Sequence, residues 1–112
     1  MLNIAVIGAG HLGEFHIKLL KSSKLFNLIG FFDPNKSRVN EIIDKYNINF
    51  IEIDKISSLV DAVIISTPTS FHYETAVKFL NNKKHVFVEK PITSTIEQAN
   101  KLIEIKKNNK LI

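Results

Sequence analysis

Between an almost unbroken apolar run, Leu2 to Ile7, and a stretch of helical periodicity stands Gly8-Ala9-Gly10-His11-Leu12-Gly13, and its G-x-G-x-x-G spacing leaves few folds open. A short apolar run closed by glycines suits a strand buried on both faces. From His11 onward Leu12, Phe15, Leu19 and Leu20 recur at helical spacing, with Glu14, Lys18 and Lys21 on the other side. The chain therefore opens with strand, tight turn and helix, and the strand lies centrally in its sheet.

The alternation continues. Leu28 to Phe32 is a second apolar run closed by Asp33-Pro34, and Val39, Ile42, Ile43 and Tyr46 mark a helix starting near Asn35 to Ser37. Ile48 to Ile51 reads as a third strand, and Asp54 to Leu59 as a polar crossover with at most one helical turn. Ala62 to Ile65 is the next strand and runs into Ser66-Thr67-Pro68-Thr69, after which Phe71, Ala76, Phe79 and Leu80 supply another helical stripe. His85 to Val88 is a further strand, broken by Pro91. Ser94 and Glu97 have the spacing of a capping box, and the helix they open carries Ile96, Ala99 and Ile103 before Lys106, Lys107 and the stop at Asn108-Asn109. Lys110-Leu111-Ile112 reads as a sixth strand beginning, so the sequence is expected to be the front part of something longer. Strands alternating with helices in this way predict an α/β domain with a doubly wound parallel sheet.

Composition narrows the chemistry. At 112 residues, 45% hydrophobic and 23% charged, the chain predicts one ordinary globular domain, and the lack of cysteine excludes disulfide scaffolds and Cys-ligated zinc. No apolar run approaches the ~18 residues of a membrane helix, and the N-terminus lacks the basic flank and cleavage site of a signal peptide. A cytoplasmic protein that binds no membrane is expected. The net charge of +4 comes from lysines scattered singly or in pairs, which suits solvated helix faces rather than a nucleic-acid footprint. His11, His16, His72 and His85 have no ligand spacing, and no metal site is predicted.

Each glycine of the first motif has a physical reason. Gly8 permits the tight turn, Gly10 lets a pyrophosphate approach the backbone, and Gly13 lets helix and strand pack closely. A diphosphate would then meet the unpaired amides at the helix N-terminus. Asp33 lies twenty residues after Gly13, at the end of the second strand, where a carboxylate can bind both hydroxyls of an adenosine ribose. Plain alternatives remain at this point: glycines kept for packing alone, and Asp33 as a turn residue before Pro34. Thr67 and Pro68 fall where they can wall a dinucleotide site, and His72, in the first turn of the following helix, suits a neutral hydrogen-bonding role. Glu89-Lys90-Pro91 closes the fifth strand at the same edge, either as a solvated pair ahead of a proline turn or with Lys90 orienting a substrate oxygen.

The ordered set GAGHLG, FFDP, STPTSFH and VFVEKPIT resembles the N-terminal, Rossmann-fold domain of the glucose-fructose oxidoreductase, inositol dehydrogenase and MocA-like family of NAD(P)-dependent sugar and polyol oxidoreductases, over the whole chain. That resemblance implies pyrophosphate binding by the Gly8, Gly10, His11, Leu12 and Gly13 loop, and ribose binding by Asp33. It also implies cofactor contacts from Thr67, Pro68 and His72, and a cis bond before Pro91. Glu89 and Lys90 would reach the nicotinamide and substrate, with Lys90 catalytic. Residues 1–112 are expected to form the dinucleotide-binding domain without the C-terminal substrate domain. The chain alone should therefore bind cofactor without turnover, and should self-associate or pair with a separate second-domain chain. NAD is expected over NADP because the Asp33 carboxylate repels a 2′-phosphate, unless Lys36 and Arg38 neutralise one. The alternatives are a free-standing dinucleotide-binding or redox-sensing module without catalysis, and a nucleotide-sugar or coenzyme A binding domain.

Overall fold

Alternating strands and helices follow one another as the apolar pattern requires: β1 (Leu2–Ile7), α1 (His11–Lys21), β2 (Phe26–Phe32), α2 (Lys36–Tyr46), the single turn α3 (Ile53–Ile56), β3 (Ala62–Ile65), α4 (His72–Asn81) and β4 (His85–Val88). The computed structural model describes residues 2–67 and 72–88, together with Ile103 and Ile105, both of which are helical. The strands form a parallel sheet in the order β2-β1-β3-β4. β1 is central, and its side chains alternate between two cores. Ile4 and Val6 pack with Ile17 and Leu20 of α1, Phe31 of β2 and Ile42 of α2. Ala5 and Ile7 pack with Ile56 of α3, Val63 and Ile65 of β3, and Ala76, Phe79 and Leu80 of α4. Helices thus cover both faces, the doubly wound arrangement the sequence predicts. Phe31 and Phe79 are fully buried, one in each core. Burying each contributes about 2 to 3 kcal/mol.

Helix ends follow local chemistry. Asn35 caps α2 by accepting a hydrogen bond from the Arg38 amide at 3.2 Å, and Asn47 closes that helix in the left-handed conformation, with φ 54°.

Two expectations are corrected. Ile48 to Ile51 is not a strand but makes one isolated parallel bridge, Phe31 to Phe50. Its hydrogen bonds run from Phe31 N to Asn49 O at 3.0 Å and from Ile51 N to Phe31 O at 2.8 Å. Ile4 pairs with Leu28 and Ala5 with Gly30, so Ile29 is an extra residue in β2. A bulge of this kind turns the outer edge of the strand and cuts the pairing short. The second correction concerns α1. Its buried residues are Gly13, Ile17 and Leu20, while Leu12, Phe15 and Leu19 are 53%, 54% and 52% exposed. Gly13 has to face the sheet for the helix to approach it, and that fixes the helix rotation against the larger apolar side chains. The helix expected after Pro91 and the sixth strand lie outside the described residues, apart from Ile103 and Ile105. Among the described residues no helix is long and apolar enough to cross a membrane.

Candidate functional site

β1 sits between β2 and β3, so the connections leaving β1 and β3 depart to opposite faces and a crevice opens at their carboxyl ends. The loops that meet there are Gly8–Gly10 and Ser66-Thr67. Gly8 turns the chain with φ 95°, donates from its amide to Phe32 O at 2.7 Å, and lies so close to the second loop that a Cβ would stand 2.8 Å from Ser66 C and Thr67 N. Ser66 N in turn donates to Ile7 O at 2.8 Å. Gly13 is equally confined, since a Cβ there would come within 1.9 Å of Gly8 O. Gly10 is the opposite case: among the described residues a Cβ would meet nothing within 4 Å. It caps α1 without a side-chain hydrogen bond, and its carbonyl accepts from Glu14 N at 2.8 Å. The first-turn amides of α1 have no acceptor within the helix, and the positive end of its dipole faces the open space. This is an anion-binding arrangement.

Asp33 borders the same loop. Its Oδ2 accepts from Ala9 N and its Oδ1 from Asn35 N, each at 2.8 Å. A carboxylate accepts roughly four hydrogen bonds, so each oxygen keeps capacity for a hydroxyl donor. Ser66 Oγ is buried and finds no hydrogen-bond partner among the described residues. Thr67 is half-buried beside it, and His72 is the first residue of α4. The structure thus brings Gly8, Gly10, His11, Leu12, Gly13, Asp33 and Thr67 to one edge of the sheet. Pro68, Glu89, Lys90 and Pro91 lie outside the described residues. Among those described, no three His, Cys, Asp or Glu side chains gather as metal ligands do.

A feature that sequence reasoning missed links the loop to α2. Glu14, in the first turn of α1, receives Arg38 Nη2 at 2.5 Å, Lys45 Nζ at 2.7 Å and the Tyr46 hydroxyl at 2.7 Å. Arg38 also donates to Glu41 at 2.8 Å and to the carbonyls of Ala9 and Gly10. The hydrogen bonds from Lys45, Tyr46 and Arg38 pull the Glu14 carboxyl down from the ordinary 4.5 to about 2. Glu14 in turn raises the Tyr46 phenol. The only hint in the sequence was an acid directly after Gly13 and a basic residue shortly after Asp33. Because the unfolded chain takes up a proton on Glu14 first, this group adds stability above pH 4.5 that is lost as pH falls through about 2. Thermal unfolding followed from pH 5 to pH 2 should therefore show a steeper acid decline in the unaltered protein than in Glu14→Gln. Parallel declines would disprove the linkage.

Residues 2–112 match a family described as an oxidoreductase family with an NAD-binding Rossmann fold. The UDP-N-acetylglucosamine 3-dehydrogenase of Acidithiobacillus ferrooxidans is 36% identical over 112 residues, covering 99% of this chain and 35% of that protein. A solved structure of that enzyme superposes with a TM-score of 0.90 at 35% identity, over 99% of this chain and 35% of the other. The scyllo-inositol 2-dehydrogenase (NAD(+)) of Bacillus subtilis is 38% identical over 100 residues, 85% of this chain and 29% of that one. The scyllo-inositol 2-dehydrogenase (NADP(+)) of the same organism is 28% identical over 116 residues, covering 100% of this chain and 35% of that protein. The chain spans about a third of the length of these relatives.

Proposed function

The chain belongs to the glucose-fructose oxidoreductase, inositol dehydrogenase and MocA family of oxidoreductases, and from that premise we propose that residues 1–112 form the domain that holds NAD for oxidation of a secondary alcohol on a sugar or polyol. The observation that carries this reading is the space at Gly10 that no described residue fills, set against the first-turn amides of α1, with Asp33 hydrogen-bonded to Ala9. Those residues fit a dinucleotide: the pyrophosphate lies on the helix N-terminus at Gly10, His11, Leu12 and Gly13, and Asp33 binds the ribose diol with its remaining lone pairs. On the same reading Thr67, Pro68 and His72 border the cofactor. When bound, NAD supplies the hydride acceptor. Glu89 and Lys90 follow β4 in sequence, and on this reading Lys90 orients the substrate oxygen and exchanges its proton. The names of the relatives, dehydrogenases of an N-acetylglucosamine nucleotide and of inositols, support the substrate class.

By itself the 112-residue chain binds cofactor without turnover. Hydride transfer needs the alcohol carbon held against the nicotinamide in a water-poor enclosure, and a dinucleotide-binding domain holds only one of the two reactants. The ribose reading is tested by calorimetry with NAD and NADP. NAD is expected to bind at least about tenfold more tightly, a difference of ~1.4 kcal/mol, because a 2′-phosphate would meet the Asp33 carboxylate. Equal or tighter binding of NADP contradicts the role given to Asp33.

A further inference from the structure

We propose that Glu14 sets the dinucleotide preference of this site, by occupying the cations that would otherwise grip a 2′-phosphate. The inference rests on the reading that Asp33 holds the adenosine ribose. Ala9 joins the two groups: its amide donates to Asp33 Oδ2 at 2.8 Å, and its carbonyl accepts from Arg38 Nε. The carboxylate and the guanidinium therefore flank a single residue of the glycine loop. A phosphate carried on a ribose hydroxyl bound by Asp33 would arrive beside Arg38.

Arg38 is not available to receive it. A guanidinium has five N–H donors, and the contacts to Ala9 O, Gly10 O, Glu14 Oε1 and Glu41 Oε2 engage four of them. Bidentate phosphate recognition needs two free donors side by side. Of the two carboxylates on Arg38, Glu41 is 67% exposed and Glu14 only 20%, so Glu14 is the less screened and firmer restraint. Its second oxygen holds Lys45 Nζ at 2.7 Å as well. Removing the Glu14 charge thus loosens both cations and deletes an anion near the phosphate position. Both changes favour NADP.

The test is calorimetry of the 112-residue chain with NAD and NADP, for the unaltered protein, Glu14→Gln, and Glu14→Gln combined with Arg38→Ala. Glutamine keeps the shape of the side chain but removes its charge and turns one accepting oxygen into a donor, and Glu14→Ser reads the same quantity if the glutamine variant does not fold. The ratio of the NADP to the NAD dissociation constant is expected to fall at least about tenfold in Glu14→Gln, the scale of one charge-assisted hydrogen bond to phosphate. It should climb back when Arg38 is also removed. A merely structural role would weaken both cofactors alike and leave the ratio in place, and that result overturns the proposal. A shift that survives Arg38→Ala in full overturns it too. If the unaltered chain binds neither dinucleotide, the ribose reading falls and this inference falls with it; an unchanged ratio in a chain that does bind NAD removes this inference alone.

Discussion

Alanine at position 13 is expected to cost about 3 kcal/mol or more of folding stability, at the upper end for overpacking a close contact. Its Cβ would stand 1.9 Å from Gly8 O and 2.8 Å from Gly8 C, and both are backbone atoms with no rotamer to escape into. Gly8 is itself pinned, by its hydrogen bond to Phe32 O and by the Ser66-Thr67 backbone against its α-carbon. The strain has to be relieved by lifting α1 off β1, which pulls Ile17 and Leu20 out of the core they share with Ile4 and Val6. In a domain of this size that loss lowers the thermal midpoint by more than about 10 °C. A Gly13→Ala variant melting within about 2 °C of the unaltered protein would show that the close approach of α1 to the sheet is not as described.

Gly10→Val is expected to do the reverse, leaving the fold intact while weakening NAD binding at least about a hundredfold, or ~2.7 kcal/mol. Gly10 has φ −67° and ψ −162°, an extended conformation open to residues other than glycine, and among the described residues no atom beyond its chain neighbours lies within 4 Å of the Cβ position. That same space lies over the first-turn amides of α1, so a branched side chain fills the volume a diphosphate needs. Circular dichroism should match that of the unaltered chain, the melting midpoint should fall only by the few degrees that valine costs as an N-cap, about 1 kcal/mol, and calorimetry should show the loss. Unchanged NAD affinity in a folded Gly10→Val would remove the glycine loop from the binding site. The contrast between the two glycines, three residues apart, separates packing from binding.

Much of this was legible in the sequence because it depends on local pattern. The apolar run at Leu2–Ile7, the glycine turn, the Asn35 start of α2 and the strand at Ala62–Ile65 all fall where periodicity and capping put them. Asp33 was placed at the correct end of β2, yet its hydrogen bond to Ala9 spans 24 residues and has no local signature. Of the expected stripe Leu12, Phe15, Leu19 and Leu20 only Leu20 is buried, because Gly13 and Ile17 turn inward in place of the larger side chains, and periodicity does not reveal that a glycine must face the sheet. Glu14, Arg38, Lys45 and Tyr46 meet only because α1 and α2 lie side by side on one face of the sheet. The separation between Glu14 and these partners, 24 to 32 residues, puts the cluster beyond any spacing rule. The bulge at Ile29, which reduces the expected third strand to one bridge, is likewise a property of the paired strands and not of either alone.

The central claim is that a dinucleotide sits on the N-terminus of α1 with its ribose at Asp33. Backbone amide resonances of the 112-residue chain, followed by NMR during titration with NAD, test it most directly. The largest shifts are predicted to fall on the amides of Gly8 to Gly13, Asp33 and Asn35, with the opposite end of the sheet, around Asn3 and Phe26, unmoved. Saturable shifts centred elsewhere, or none at NAD concentrations in the millimolar range, would contradict it.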